Sequence, residues 1–101
     1  MDELGEDILK AAANGDVDAF ECIYKMYMPF VFNVAYRVAG NRQNAEEITQ
    51  EVFLIVHQKL KSFLFRSSLK TWVYRITTNY AINYAKRESH QQQSRVDAQE
   101  A

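Results

Sequence analysis

Three glycines and one proline in 101 residues leave this chain few places to turn. Strands need turn residues at short intervals, so their scarcity favours a few long helices over many short strands. A chain of this length is one domain, burying roughly 60% of the surface its unfolded form exposes. A hydrophobic share of 48% suffices for a single core. The expected fold class is therefore all-α, a compact bundle of about four helices.

The spacing of apolar residues predicts where those helices lie. The first runs from about Glu3 to Ala13, with Asp2 as its cap and Asn14-Gly15 as its stop. The second follows Asp16 and reaches about Ala39. Its apolar set is Phe20, Ile23, Tyr24, Tyr27, Val31, Val34, Ala35 and Val38; Gly40 ends it. Pro29 falls inside this helix and removes one backbone hydrogen bond. The third opens at Asn44, with Glu47 three residues on in the manner of a capping box. Ile48, Val52, Phe53, Ile55, Val56 and Leu60 give it a broad apolar face, and it ends near Lys61 or Ser62. After a loop from Phe63 to Ser67, the fourth helix starts at Ser67 or Ser68 and reaches about Arg87. Residues 1–88 are thus expected to form the helical domain. Residues 89–101, polar and glutamine-rich, are expected to be a disordered tail or the start of a linker.

Several function classes drop out. No apolar run approaches the ~20 residues that span a bilayer, and the N-terminus lacks a signal peptide's basic start. A cytoplasmic location without membrane insertion is expected. Cys22 is alone, which excludes an intrachain disulfide or a multi-cysteine metal site; it reads as a small apolar residue on a packed helix face. His57 and His90 lie far apart with no ligand-spaced cysteine or carboxylate. There is no nucleophile–base pair and no phosphate-cradling glycine loop, so the expectation is neither an enzyme nor a cofactor binder.

The net charge of −1 conceals a polarity along the chain. Residues 1–21 hold seven acids and one base, whereas residues 57–95 hold eight bases and one acid. A basic half suits phosphate, and an acidic half suits a basic protein partner. In the fourth helix, placing residues 100° apart separates two stripes. Leu69, Trp72, Val73, Ile76, Tyr80 and Tyr84 form an apolar stripe that reads as core. Thr71, Arg75, Thr78, Asn79, Ile82 and Lys86 form the other, with Asn83 at its edge. An ordinary solvated face carries Glu–Lys pairs, yet there is no acid between Glu51 and Glu88. Arg offers a planar donor fork to phosphate, and Asn both donors and an acceptor to a base edge. Phe63, Phe65 and Tyr74 are candidate stacking surfaces for unpaired bases, although Phe63 reads more naturally as a loop anchor to the core. The third helix turns Glu46, Glu47, Gln50, Glu51 and Gln58 away from its apolar face. Neither Glu46 nor Glu47 has a lysine four residues on.

The runs AEEITQEVFLIVHQKLKSF and SSLKTWVYRITTNYAINYAKR resemble region 2 of bacterial sigma-70 family sigma factors of the extracytoplasmic-function group. The upstream DAFECIYKMYMPFVFNVAYRVAGN, with its mid-helix proline, is similar to that group too. The resemblance covers roughly residues 7–88. Its most specific pieces are Gln50-Glu51-x-Phe53 and Thr71-Trp72-x-Tyr74-Arg75-Ile76-x-x-Asn79. It implies a helical domain that binds the clamp helices of the RNA polymerase β′ subunit and recognises the promoter −10 element as it melts. Glu47, Gln50 and Glu51 match the polymerase-contacting positions, with Glu47 standing where the family often has Asp. Phe65, Arg66, Ser67 and Ser68 match the loop that captures a flipped base of the non-template single strand. Asn79 matches a position lining that base's pocket. Thr71 shares its face, and Arg75, Lys86 and Arg87 are expected on phosphates. The resemblance also implies an anti-sigma factor as a partner. Full members carry a second helical domain, region 4, and this chain stops about where region 2 ends. Without that second domain, promoter-specific initiation is expected to be lost or severely weakened, while polymerase binding could survive. Extruding a base costs a few kcal/mol, roughly what one or two good contacts return, so weak binding to free DNA is expected. The competing reading is a helical adaptor that uses the acidic third helix without touching DNA.

Overall fold

A computed structural model describes residues 4–63 and 66–100, with side chains as far as residue 90. Four α-helices follow one another: α1 (Glu6–Ala13), α2 (Val17–Ala39), α3 (Arg42–Lys59) and α4 (Leu69–Glu100). A 3-10 turn over Leu60–Ser62 leads out of α3. The bundle is organised around α2, which packs against α1, α3 and α4, while α3 also packs against α4. No strand occurs among the described residues, and none of their helices is long and apolar enough to cross a membrane.

Short polar signals set the boundaries. The Asp16 carboxylate accepts the Ala19 N–H at 3.0 Å and starts α2. Gly40, at φ 79, closes α2 by donating its N–H to the Tyr36 carbonyl, a left-handed turn that a side chain would oppose. Asn41 follows directly in extended conformation, and its side chain accepts the Asn44 N–H at 2.8 Å. The cap of α3 is therefore Asn41 and not Asn44, which lies inside the helix. With the left-handed Gly40 reversing the chain, Asn41 is the first residue free to cap. The helical hydrogen bonding of α3 gives way to the 3-10 turn at Leu60, just short of the expected end. Helix α1 begins at Glu6, after Leu4 and an extended Gly5, later than the spacing suggested. The expected cap, Asp2, lies outside the described residues. Pro29 is accommodated within α2 on its exposed side.

Helix α4 opens at Leu69, where Ser68 Oγ accepts the Thr71 N–H at 3.1 Å. It continues to Glu100 instead of ending near Arg87. No glycine or proline follows Gly40 in the sequence, and polarity by itself does not stop a helix. At ~1.5 Å per residue α4 is about 48 Å long, most of the molecule's 58 Å long axis.

The core is aliphatic. Ile23, Val31, Ile48, Val52, Val56 and Val73 are fully buried, each worth on the order of 1.5–3 kcal/mol over exposure. Two buried threonines join them, and each hydroxyl is satisfied on its own helix. Thr49 donates to the Ala45 carbonyl and Thr77 to the Val73 carbonyl, both at 2.7 Å. On α2 the buried row is Ile23, Tyr27, Val31 and Ala35. Tyr24 and Val38, expected on that face, are 41% and 37% exposed because they flank the stripe that the neighbouring helices cover. Cys22 is exposed and not packed, since it precedes Ile23 and turns 100° away from the core.

Candidate nucleic-acid interface and its acidic neighbour

Leu69, Val73, Thr77 and Ala81 recur every fourth residue along α4 and are all buried. That row fixes the rotation of the helix, so the opposite side must face out. Thr71, Arg75, Asn79, Ile82 and Lys86 are exposed there, whereas Arg87, five full turns after Leu69, is exposed on the side of the apolar stripe. The side chains of Arg75, Asn79 and Lys86 make no hydrogen bond, ion pair or ring contact among the described residues. Arg87 leans over the Tyr80 ring at 5.8 Å. The half-buried Thr78 bonds back onto its own helix, its hydroxyl donating to the Tyr74 carbonyl at 3.0 Å and lying 3.2 Å from the Arg75 carbonyl. Tyr74 presents a 48% exposed ring, 6.0 Å from Phe30, and Lys70 lies 5.4 Å above Phe30. The face therefore offers free cations, the free Asn79 amide and an aromatic surface, the ingredients of a single-strand grip.

The loop before α4 is more constrained than its sequence suggests. Phe63 is buried and stacks on Trp72 with ring centroids 5.1 Å apart, so it anchors the loop and offers no surface to a base. Phe65 lies outside the described residues. Arg66 is exposed and Ser67 half-buried. The Ser68 hydroxyl donates to Thr71 Oγ1 at 2.9 Å while accepting that residue's N–H, so both hydroxyls belong to the first turn of α4. A cavity of about 180 Å³ opens beside the loop, walled in part by Tyr27, Phe63, Ser67 and Ser68.

Glu47, Gln50 and Glu51 all lie exposed on α3. Its carboxylates are not as unpartnered as the sequence suggested. Arg42, four residues before Glu46 rather than after it, donates from Nε to the Glu46 carboxylate at 3.0 Å. The Tyr84 hydroxyl reaches across from α4 to Glu47 Oε2 at 2.8 Å, with Asn44 Oδ1 at 3.2 Å. That hydrogen bond, then partial burial, push the Tyr84 phenol up to about 12. Tyr84 read as core because it extends the apolar stripe; a hydroxyl at the end of such a stripe was the available signal. An open cleft of about 520 Å³ beside Gln50, floored by Phe20, Tyr24, Phe53 and Leu54, was also missed. His57 closes that cleft, edge-on to Phe20 at 4.9 Å.

Residues 23–91 match the model of the family Sigma-70 region 2. Among curated proteins, the chain is similar to the ECF RNA polymerase sigma factor SigW of Bacillus subtilis, 35% identical over 80 residues. That match takes in 79% of this chain and 43% of SigW. It is also similar to the ECF RNA polymerase sigma factor SigE of Mycolicibacterium smegmatis, 30% identical over 78 residues, 74% of this chain and 30% of that protein. The chain thus spans less than half the length of either relative. Among solved structures, an NMR structure of an engineered region 2 of sigmaE in complex with GTAAAA superposes with a TM-score of 0.78 at 25% identity. The likeness covers 90% of this chain and 92% of that one.

Proposed function

The chain belongs to the sigma-70 region 2 family, in its extracytoplasmic-function group, and from that premise we propose that it docks core RNA polymerase through α3 and reads single-stranded promoter DNA through α4. The observation that carries the reading is the outward face of α4, where Arg75, Asn79 and Lys86 stand exposed and without a partner among the described residues. Free Arg and Lys neutralise phosphates, and a free Asn can pair with a base edge. The engineered region 2 of sigmaE, solved in complex with GTAAAA, supports DNA binding by this fold. In this reading Arg75, Lys86 and Arg87 hold the backbone of the non-template strand at the −10 element. Asn79, with Thr71, discriminates a base extruded toward the loop Phe65, Arg66, Ser67 and Ser68.

Glu47, Gln50 and Glu51 are proposed to meet basic residues of the β′ clamp helices. The apolar cleft that begins at Gln50 supports a protein partner on that side rather than DNA. An anti-sigma factor covering the same surfaces fits the same chemistry. Residues 1–88 then act as the recognition domain, with residues 89–101 as a polar connector. The reading places the chain in the cytoplasm as an initiation factor with no catalytic group of its own.

The experiment has two arms. Charge reversal, Glu47→Lys with Glu51→Lys, should abolish capture of the chain by core polymerase; unchanged capture overturns the docking assignment. On polymerase-bound chain, Asn79→Ala should lower the preference for a selected −10 oligonucleotide over its scrambled form by about tenfold, leaving scrambled binding nearly unchanged. Equal loss on both oligonucleotides would make Asn79 a backbone contact and not a base reader, and no loss on either would leave the adaptor reading as the better account.

A further inference from the structure

A glutamate alone on an exposed helix face samples several rotamers, and a partner that needs it in one of them must bear the cost of ordering it. Glu47 is not alone in that sense. Its Oε2 is held 2.8 Å from the Tyr84 hydroxyl, which comes from 37 residues further along the chain. Tyr84 is half-buried at the base of α4's inner stripe, its ring 6.4 Å from that of Tyr80. The donor is therefore fixed by packing, and the carboxylate is fixed by the donor. The Glu47 side chain still lies exposed, and its Oε1 has no partner among the described residues, so one carboxylate oxygen is available to an incoming cation.

We propose that Tyr84 is a positioning residue for polymerase docking, its hydroxyl holding the Glu47 carboxylate so that the second oxygen meets a basic side chain of the partner in one orientation. The inference rests on Glu47 being a polymerase contact. The phenol stays protonated, and so keeps donating, well above neutral pH. Asn44 Oδ1 at 3.2 Å is the weaker, alternative acceptor for the same proton. A phenylalanine at this position would keep the ring packing and lose only the donor.

The test is a double-mutant cycle on the complete chain, with affinity for core RNA polymerase as the readout and thermal melting in parallel. Tyr84→Phe should weaken binding on the order of 3- to 10-fold, the range of a partly exposed charge-assisted hydrogen bond. In a Glu47→Gln background the same change should have no further effect, because no carboxylate remains to be positioned. Equal losses in both backgrounds would make the hydroxyl a structural tie and overturn the proposal, as would a Tyr84→Phe chain that no longer folds. If Glu47→Gln weakens binding while Tyr84→Phe does not, Tyr84 is excluded and the docking assignment stands. If Glu47→Gln binds like the wild type, both fall.

Discussion

The outward faces of α3 and α4 carry opposite charge and are built in opposite ways. On α3, Glu46 is tied to Arg42 and Glu47 to Tyr84, leaving Gln50 and Glu51 free among the described residues. On α4, Arg75, Asn79 and Lys86 are all free among the described residues. Ordering a long polar side chain costs up to ~2 kcal/mol. On α3 part of that cost is met when the protein folds, so a partner finds carboxylates already arranged. On α4 it is deferred to the moment of binding. A prearranged face suits a protein surface of one shape, whereas free cations suit a flexible strand whose phosphates are all alike. The difference teaches that the two faces should answer differently to salt and to single substitutions.

The strongest way to break this contrast is to strip the cations. Replacing Arg75, Lys86 and Arg87 together with alanine should flatten the dependence of log affinity on log salt by about 2, since each single-strand phosphate contact contributes ~0.7. Near 0.1 M salt that amounts to roughly 100-fold weaker binding of single-stranded DNA by the polymerase-bound chain. Fluorescence anisotropy across a salt series reads the slope directly. An unchanged slope would mean that α4 does not meet phosphate and that its free cations are ordinary solvated residues.

How much of this was legible beforehand follows from the range of each interaction. The buried row of α2 follows from the 3.6-residue period, as do Leu69 and Val73 on α4 and the exposed positions of Arg75 and Asn79. Asp16 and Gly40 were readable as boundaries because their signals act within one turn. Asn41 was misread because two asparagines three apart compete for the same cap, and only the turn at Gly40 decides between them. The length of α4 was misread because a polar composition was taken for a stop, although no breaker residue is present. The Tyr84–Glu47 bond was invisible because it joins residues that only the packing of α3 on α4 brings together. Thr77 was hidden for a similar reason. Its hydroxyl looks solvent-seeking in sequence, but the helix's own Val73 carbonyl satisfies it inside the core.

A smaller effect separates support from contact within the loop. Ser68 is proposed to belong to the base-capturing loop, yet its oxygen caps α4 at 3.1 Å from the Thr71 N–H. Ser68→Ala should cost about 1 kcal/mol of stability, lowering the melting temperature by roughly 4–8 °C for a domain of this size. Loss of DNA affinity at a temperature where the variant is fully folded should be slight. A large affinity loss without a change in melting would move Ser68 from the frame of the loop to its contact surface.

The smallest expected effect tests what kind of tie makes a face rigid. The Arg42–Glu46 pair is short at 3.0 Å, but its side chains are 82% and 53% exposed. Such a pair is worth only about 0.3–0.5 kcal/mol. Part of even that is offset, because a cation in the first turn of a helix opposes the positive end of its dipole. Arg42→Ala should therefore leave the melting temperature within a few degrees of wild type. For docking, two consequences oppose each other. Glu46 loses its tether, which weakens the prearranged face. A positive charge also leaves a surface that is to meet a basic partner, which favours encounter at low salt. The net change in polymerase affinity should fall below about threefold and shrink as salt is raised. It should also be smaller than the change from Tyr84→Phe, because a solvated ion pair holds a carboxylate less firmly than a packed phenol does. If Arg42→Ala had the larger effect, charge and not prearrangement would govern how α3 meets its partner.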